Sequence, residues 1–136
     1  MSLLIKRGLL AGVVTLVLGL VLQQGIALVF PSIMTEYQNT AIFRPWEDPL
    51  MIIYFVYPFI FGLVAAYLWN MLEKEIKGKP LEKALRFAKI YFIIATIPGM
   101  FISYTSFQIS AMMIVLWTIT GFVQALAAGV VFSKVK

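Results

Sequence analysis

The chain has no cysteine and no histidine. Disulfides, thiolate or imidazole metal sites, a cysteine nucleophile, histidine-ligated haem and any triad that needs an imidazole are therefore excluded. Charge is scarce too: it falls on 12% of 136 residues, against a hydrophobic share of 62% and a mean hydropathy of +0.95. Soluble domains run at about 45–50% apolar, so this is the composition of an integral membrane protein with one domain, residues 1–136. A net charge of +5 and a pI near 9.6 would suggest nucleic acid in a soluble chain. Here the lysines sit at the ends of apolar runs, so the charge is topogenic and no nucleic-acid partner is expected.

The apolar runs predict an all-α bundle of four transmembrane helices with antiparallel neighbours. Residues 8–30 are uninterrupted, and a helix of about 23 residues covers a hydrocarbon core of roughly 30 Å before Pro31 ends it. The run is too long for a signal-peptide core and has no small-x-small site at its end, so it is expected to remain as the first span. Span two is expected over residues 49–72, with Asp48 as N-cap, Pro49 at the first helical position and a kink at Pro58. Glu73 to Lys79 reads as a tight basic turn in which Glu73 and Lys77 pair and Gly78 caps. Spans three and four are expected over 84–103 and 109–132, joined by a short uncharged connection. Between spans one and two lies a polar loop, residues 31–48, with a short helical turn expected over Ser32 to Tyr37.

Ten of the eleven Lys and Arg residues fall at the ends that carry the termini and the 73–79 turn; Arg44 alone lies opposite. The positive-inside rule then places both termini in the cytoplasm of a cell membrane and the 31–48 loop outside. Trp46, Trp69, Tyr37, Tyr67 and Tyr104 fit interfacial aromatic belts. Trp117, near the middle of span four, needs an acceptor for its indole N–H, such as a carbonyl freed near Pro58 or Pro98.

No Asp, Glu, Lys or Arg falls in the central turns of any span, which weighs against proton-coupled transport through an intramembrane carboxylate. The polar residues at depth are neutral. Gln23, Tyr54, Tyr57 and Thr96 share a level toward the outer face and are candidates for a small outward-opening polar cavity. The competing reading is that each bonds a neighbouring helix, as such residues commonly do; Gln124 is read as interhelical glue of that kind. Gly8, Gly12 and Gly19 on span one, Gly62 on span two, and Gly121, Ala125 and Gly129 on span four make smooth packing faces.

The loop ends in Phe43-Arg44-Pro45-Trp46-Glu47-Asp48-Pro49, and two readings stand for it. Arg44, Trp46, Glu47 and Asp48 form a cluster that recognises a ligand or partner. Alternatively Asp48 caps span two, Arg44 pairs with Glu36 or Glu47, and Trp46 anchors the loop at head-group level.

The runs from Glu36 through Leu50, then Tyr57-Pro58-Phe59 and Gly121 to Leu126, resemble a family of small uncharacterised four-span prokaryotic membrane proteins with no assigned activity. The resemblance implies the span count and a prokaryotic membrane, and it transfers no catalytic residue. In size and span count the chain is also similar to eicosanoid- and glutathione-metabolising membrane enzymes, whose Arg-rich pattern within the spans it lacks.

No catalytic residue, cofactor or metal is expected. The leading expectation is a non-enzymatic multi-pass protein acting through helix packing, as a homo-oligomer or as an accessory to another membrane protein. The alternative is a binder or facilitator of a small neutral or amphipathic solute, using the outward cavity with the 44–48 stretch as its lid. An enzyme working with Glu36, Glu47 or Asp48 at the surface is a third reading.

Overall fold

A computed structural model describes residues 1–136 as an all-α protein. The elements are α1 (Leu3–Val29), α2 (Pro31–Tyr37), a 3₁₀ segment (Pro49–Val56), α3 (Tyr57–Leu72), α4 (Pro80–Tyr91), a π segment (Phe92–Thr96), α5 (Ile97–Ser106) and α6 (Ala111–Lys134). Four stretches are long and apolar enough to cross a membrane: Leu3–Val29, Pro49–Leu72, Pro80–Ser106 and Ala111–Lys134. Only 23 of 136 residues are buried, and side chains such as Val21, Ile52, Val64, Ile94 and Phe101 stand exposed. A soluble monomer does not present that much contiguous apolar surface, and the chain is a multi-pass membrane protein.

The spans pack against one another without a hydrophobic driving force, so close backbone approach has to supply contact. Helix α1 lies against α3 and α6, and α6 also lies against α4. Gly62 sits where a Cβ would come 2.2 Å from the carbonyl oxygen of Gly8 and 2.8 Å from the nitrogen of Gly12. A Cβ on Gly8 or Gly12 would in turn strike Leu63 or Phe59. Gly129 makes the equivalent approach to Ala84, 2.9 Å from its Cα. The glycine faces therefore serve contacts inside the chain. Trp69, Phe87 and Phe132, each fully buried, fill the remaining space with ring centroids 5.6–5.7 Å apart.

The same end of the bundle is locked by Arg7. Its side chain is 4% exposed and donates to both carboxylate oxygens of Glu73, to Asn70 Oδ1 and to the carbonyl of Val135, each at 2.9 Å. Arg7, counted from sequence among the topogenic charges, is also the buried tie between the N-terminal helix, the end of α3 and the C-terminus. Glu73 bonds Arg7 instead of Lys77, because the fork of a guanidinium matches a carboxylate in two parallel bonds. That pairing holds the Glu73 carboxyl below the usual carboxylate range. Trp69 belongs to this core instead of an interfacial belt, and its indole N–H is the one buried side-chain polar atom without a hydrogen-bond partner.

Two spans depart from regular α-helix, each just before a proline. Pro58 cannot donate to the carbonyl four residues back and its ring crowds it. The winding changes there: residues 49–56 wind as 3₁₀, Tyr57 N–H bonds Tyr54, and α3 starts with Pro58 in its first turn. Pro98 has the same effect in span three, where Ile97 N–H reaches Phe92 and opens a π turn. Span three winds from Pro80, a residue suited to a first helical position, with the Glu82 carboxylate accepting from Lys79 N–H at 3.0 Å. Gly78 takes φ +125° in the turn before it, a conformation that favours glycine.

Candidate functional site

Toward the other end the helices separate. No residue of the 3₁₀ segment is buried, and the outer half of span two stands off from α1 and α6. The gap is bridged from above by α2 and the loop that follows it. Pro31 opens α2, Ile33 buries beside Ile109 and Met113, and Glu36 fixes the start of α6 by accepting from Ser110 N–H at 2.6 Å and Ser110 Oγ at 2.7 Å. Glu36 therefore does not pair with Arg44. Instead Arg44 donates to Asp48, four residues along, at 2.6 Å, and Glu47 takes no part. Asp48 also accepts from Leu50 N–H at 2.9 Å, as an N-cap does, and that bond, with Arg44, lowers its carboxyl below the usual range.

Beneath the bridge lies a cavity of about 430 Å³, within the range typical of small-molecule sites. Span one contributes Thr15, Gly19 and Gln23 to it, the loop Arg44 and Trp46, span two Tyr54 and Tyr57, and α6 Trp117, Thr120 and Gln124. Its walls are otherwise apolar, with Leu16, Leu20, Ile26 and Met51 among them, and no carboxylate lines it. Trp46 packs edge-on against Tyr54, with centroids 5.5 Å apart, which ties the loop to the 3₁₀ segment. Trp117 donates its indole N–H to the Tyr37 hydroxyl. Its acceptor is thus a phenol of α2, and not a carbonyl near Pro58 or Pro98. Tyr37, expected in an interfacial belt, is drawn in against Trp117 and Phe43, and burial raises its pKa.

A second, inner cavity of about 260 Å³ adjoins the first and shares Tyr57, Trp117, Thr120 and Gln124 with it. Its other walls come from Phe61 on α3, Tyr91, Ala95, Thr96 and Met100 on span three, and Gly121 on α6.

The structure thus brings Gln23, Tyr54, Tyr57, Arg44 and Trp46 to one chamber, places Thr96 in the next, and leaves Glu47 and Asp48 lining neither. Trp117, Thr120 and Gln124 join them as wall residues common to both chambers. Their spacing of three and four residues along α6 puts them on one helical face, a signal present in the sequence. Gln124 is only weakly engaged as glue, its nearest acceptor being the Thr15 carbonyl at 3.5 Å. Gly19 lies beside it, 3.0 Å from Gln124 Nε2 at the position of a Cβ.

There is no grouping of carboxylates able to hold a metal ion, and the polar groups facing the chambers are amides, hydroxyls, phenols and one guanidinium. No family model, curated protein or solved structure matches the chain.

Proposed function

We propose that the protein binds, and admits from the loop side, a small neutral or amphipathic solute. The observation that supports this most is the 430 Å³ cavity, with its largely apolar walls and a few convergent hydrogen-bonding groups from three separate spans and the loop. In this reading the apolar part of the ligand lies along Leu16, Leu20 and Ile26, and its polar end meets Gln23, Tyr54 and Arg44. Arg44 uses one of its nitrogens on Asp48 and keeps the others for a ligand. The 44–48 stretch and Trp46 form the lid. The charge asymmetry supports an orientation with the termini in the cytoplasm and the cavity facing outward.

The reading in which the chain acts through helix packing with a second copy or another membrane protein has less support. Gly8, Gly12, Gly62 and Gly129 already serve contacts within the chain.

Thermal unfolding of the purified protein with decanol, decanoate and decyltrimethylammonium tests the binding reading. A ligand at one hundred times its Kd adds about 2.7 kcal/mol to stability, so at least one amphiphile should raise Tm by several degrees. The double variant Gln23→Leu, Tyr54→Phe should melt normally and lose that rise. A flat response to every solute would count against the proposal.

A further inference from the structure

The inner chamber carries an unusual set of hydroxyls. Inside a span, a serine or threonine normally bonds the carbonyl three or four residues back, and Thr15, Ser103, Thr118 and Ser133 do so here at 2.7–2.9 Å. Thr96 and Thr120 do not, and both line the 260 Å³ chamber. Thr96 is only 6% exposed and lines that space, whose wall also includes the exposed Tyr57 and Ala95. Its position follows from the π segment that it ends: the extra residue in the turn shifts the helical face, so that Ile93, Ile94 and Ile97 face outward while Thr96 faces in. Such π turns recur at functional sites. Across the chamber Gln124 has a single long bond, and Gly121 leaves room, since a Cβ there would lie 3.7 Å from Thr96 Cγ2.

The walls contain no ionisable carboxylate, amine or guanidinium. A bare charge at this depth would be uncompensated and strongly disfavoured. Hydroxyls both donate and accept, an amide does the same, and Tyr57, Phe61, Tyr91 and Trp117 surround them with aromatic surface. We propose that the inner chamber is a binding site for an uncharged oxygen function, a hydroxyl or carbonyl group, of a small apolar ligand, held by Thr96, Thr120 and Gln124. The site rests on the solute-binding reading above in one respect, that the ligand reaches it through the outer cavity.

The full-length protein in lipid nanodiscs tests this, with Trp46→Phe leaving Trp117 as the one tryptophan that lines either chamber. Three heavy-atom quenchers of similar bulk serve as probes: 2,2,2-tribromoethanol, 1,1,1-tribromoethane and tribromoacetate. Tribromoethanol is expected to quench Trp117 saturably. Thr96→Val with Thr120→Val should raise its half-saturation about tenfold, the effect of one or two hydrogen bonds. Thr96→Ser with Thr120→Ser should restore it. Tribromoethane should not respond to the valine pair, and tribromoacetate should quench without saturation. Gly121→Val, which fills the chamber from the opposite wall, should remove saturable quenching by both neutral probes, and provides a reading should the valine pair fold poorly. If saturable quenching by tribromoethanol ignores both the valine pair and Gly121→Val, the inner site is overturned while the outer cavity stands. Equal shifts for tribromoethanol and tribromoethane also overturn it, as does saturation by tribromoacetate. Absence of saturable quenching by any probe overturns both.

Discussion

The two ends of this bundle solve the same packing problem in opposite ways. At the end that carries the termini, glycine meets backbone, three aromatic rings close the centre and a buried arginine ties three segments together. At the loop end the helices part, the winding changes before a proline in two of the four spans, and Gln23, Tyr54, Thr96 and Thr120 face space. The difference teaches that close packing and cavities are segregated along the length of the bundle.

The sharpest way to break that contrast is at Gly62. Replacement by leucine puts a side chain where only 2.2 Å separates a Cβ from the Gly8 carbonyl, so α1 and α3 must move apart. The expected cost is about 3 kcal/mol, read as loss of monodisperse protein in detergent. Gly25→Leu, where no atom lies within 4 Å of the new Cβ, should leave Tm and elution unchanged. Equal behaviour of the two would mean that α1 and α3 do not make this contact.

A smaller effect is expected at the Arg7 tie. Glu73→Gln leaves a buried guanidinium with Asn70 and Val135 but no carboxylate. Because Glu73 is itself 40% exposed, the loss is scaled down to roughly 1–2 kcal/mol. The pH dependence has a definite sign. The Glu73 pKa is depressed by Arg7, so the stabilisation is fully present above the ordinary carboxylate range and is lost as pH falls through the depressed value. An acid titration of Tm should show that step in the parent protein and not in Glu73→Gln.

The smallest structural effect is expected at Arg44. Its pairing with Asp48 is exposed, and such pairs contribute little, while Asp48 keeps its capping bond to Leu50. Arg44→Ala should therefore melt like the parent. If decanoate stabilises the parent, the variant should lose that response while keeping the response to decanol. A variant that unfolds instead would make the loop a structural clasp and not a lid.

The spans were legible in the sequence because uninterrupted apolar length is a direct physical requirement of a bilayer. The Asp48 cap was legible for a similar reason, since Asp-Pro at a helix start is a local signal. The role of Arg7 as a buried tie was not legible from charge counting. Counting charges at span ends treats each as a surface group, whereas its helical register with Gly8, Ala11, Gly12 and Thr15 placed it on the buried face. The clustering of Gln23, Tyr54 and Tyr57 could be anticipated from depth alone. The separation of Thr96 could not, because it depends on a π turn that Pro98 induces and that shifts the face of span three by one residue. The closing of the Glu36–Ser110 bond is likewise tertiary, joining residues far apart in the chain.

The 3₁₀ segment has a mechanical consequence. Eight residues in that form rise about 16 Å, against about 12 Å as an α-helix. Rewinding its outer half as α-helix would therefore shorten span two by about 4 Å. Hydrophobic mismatch costs a fraction of a kcal/mol per ångström, a magnitude comparable with the preference between the two helical forms. Because Met51 and Tyr54 on that segment are cavity walls, such a rewinding would also reshape the chamber.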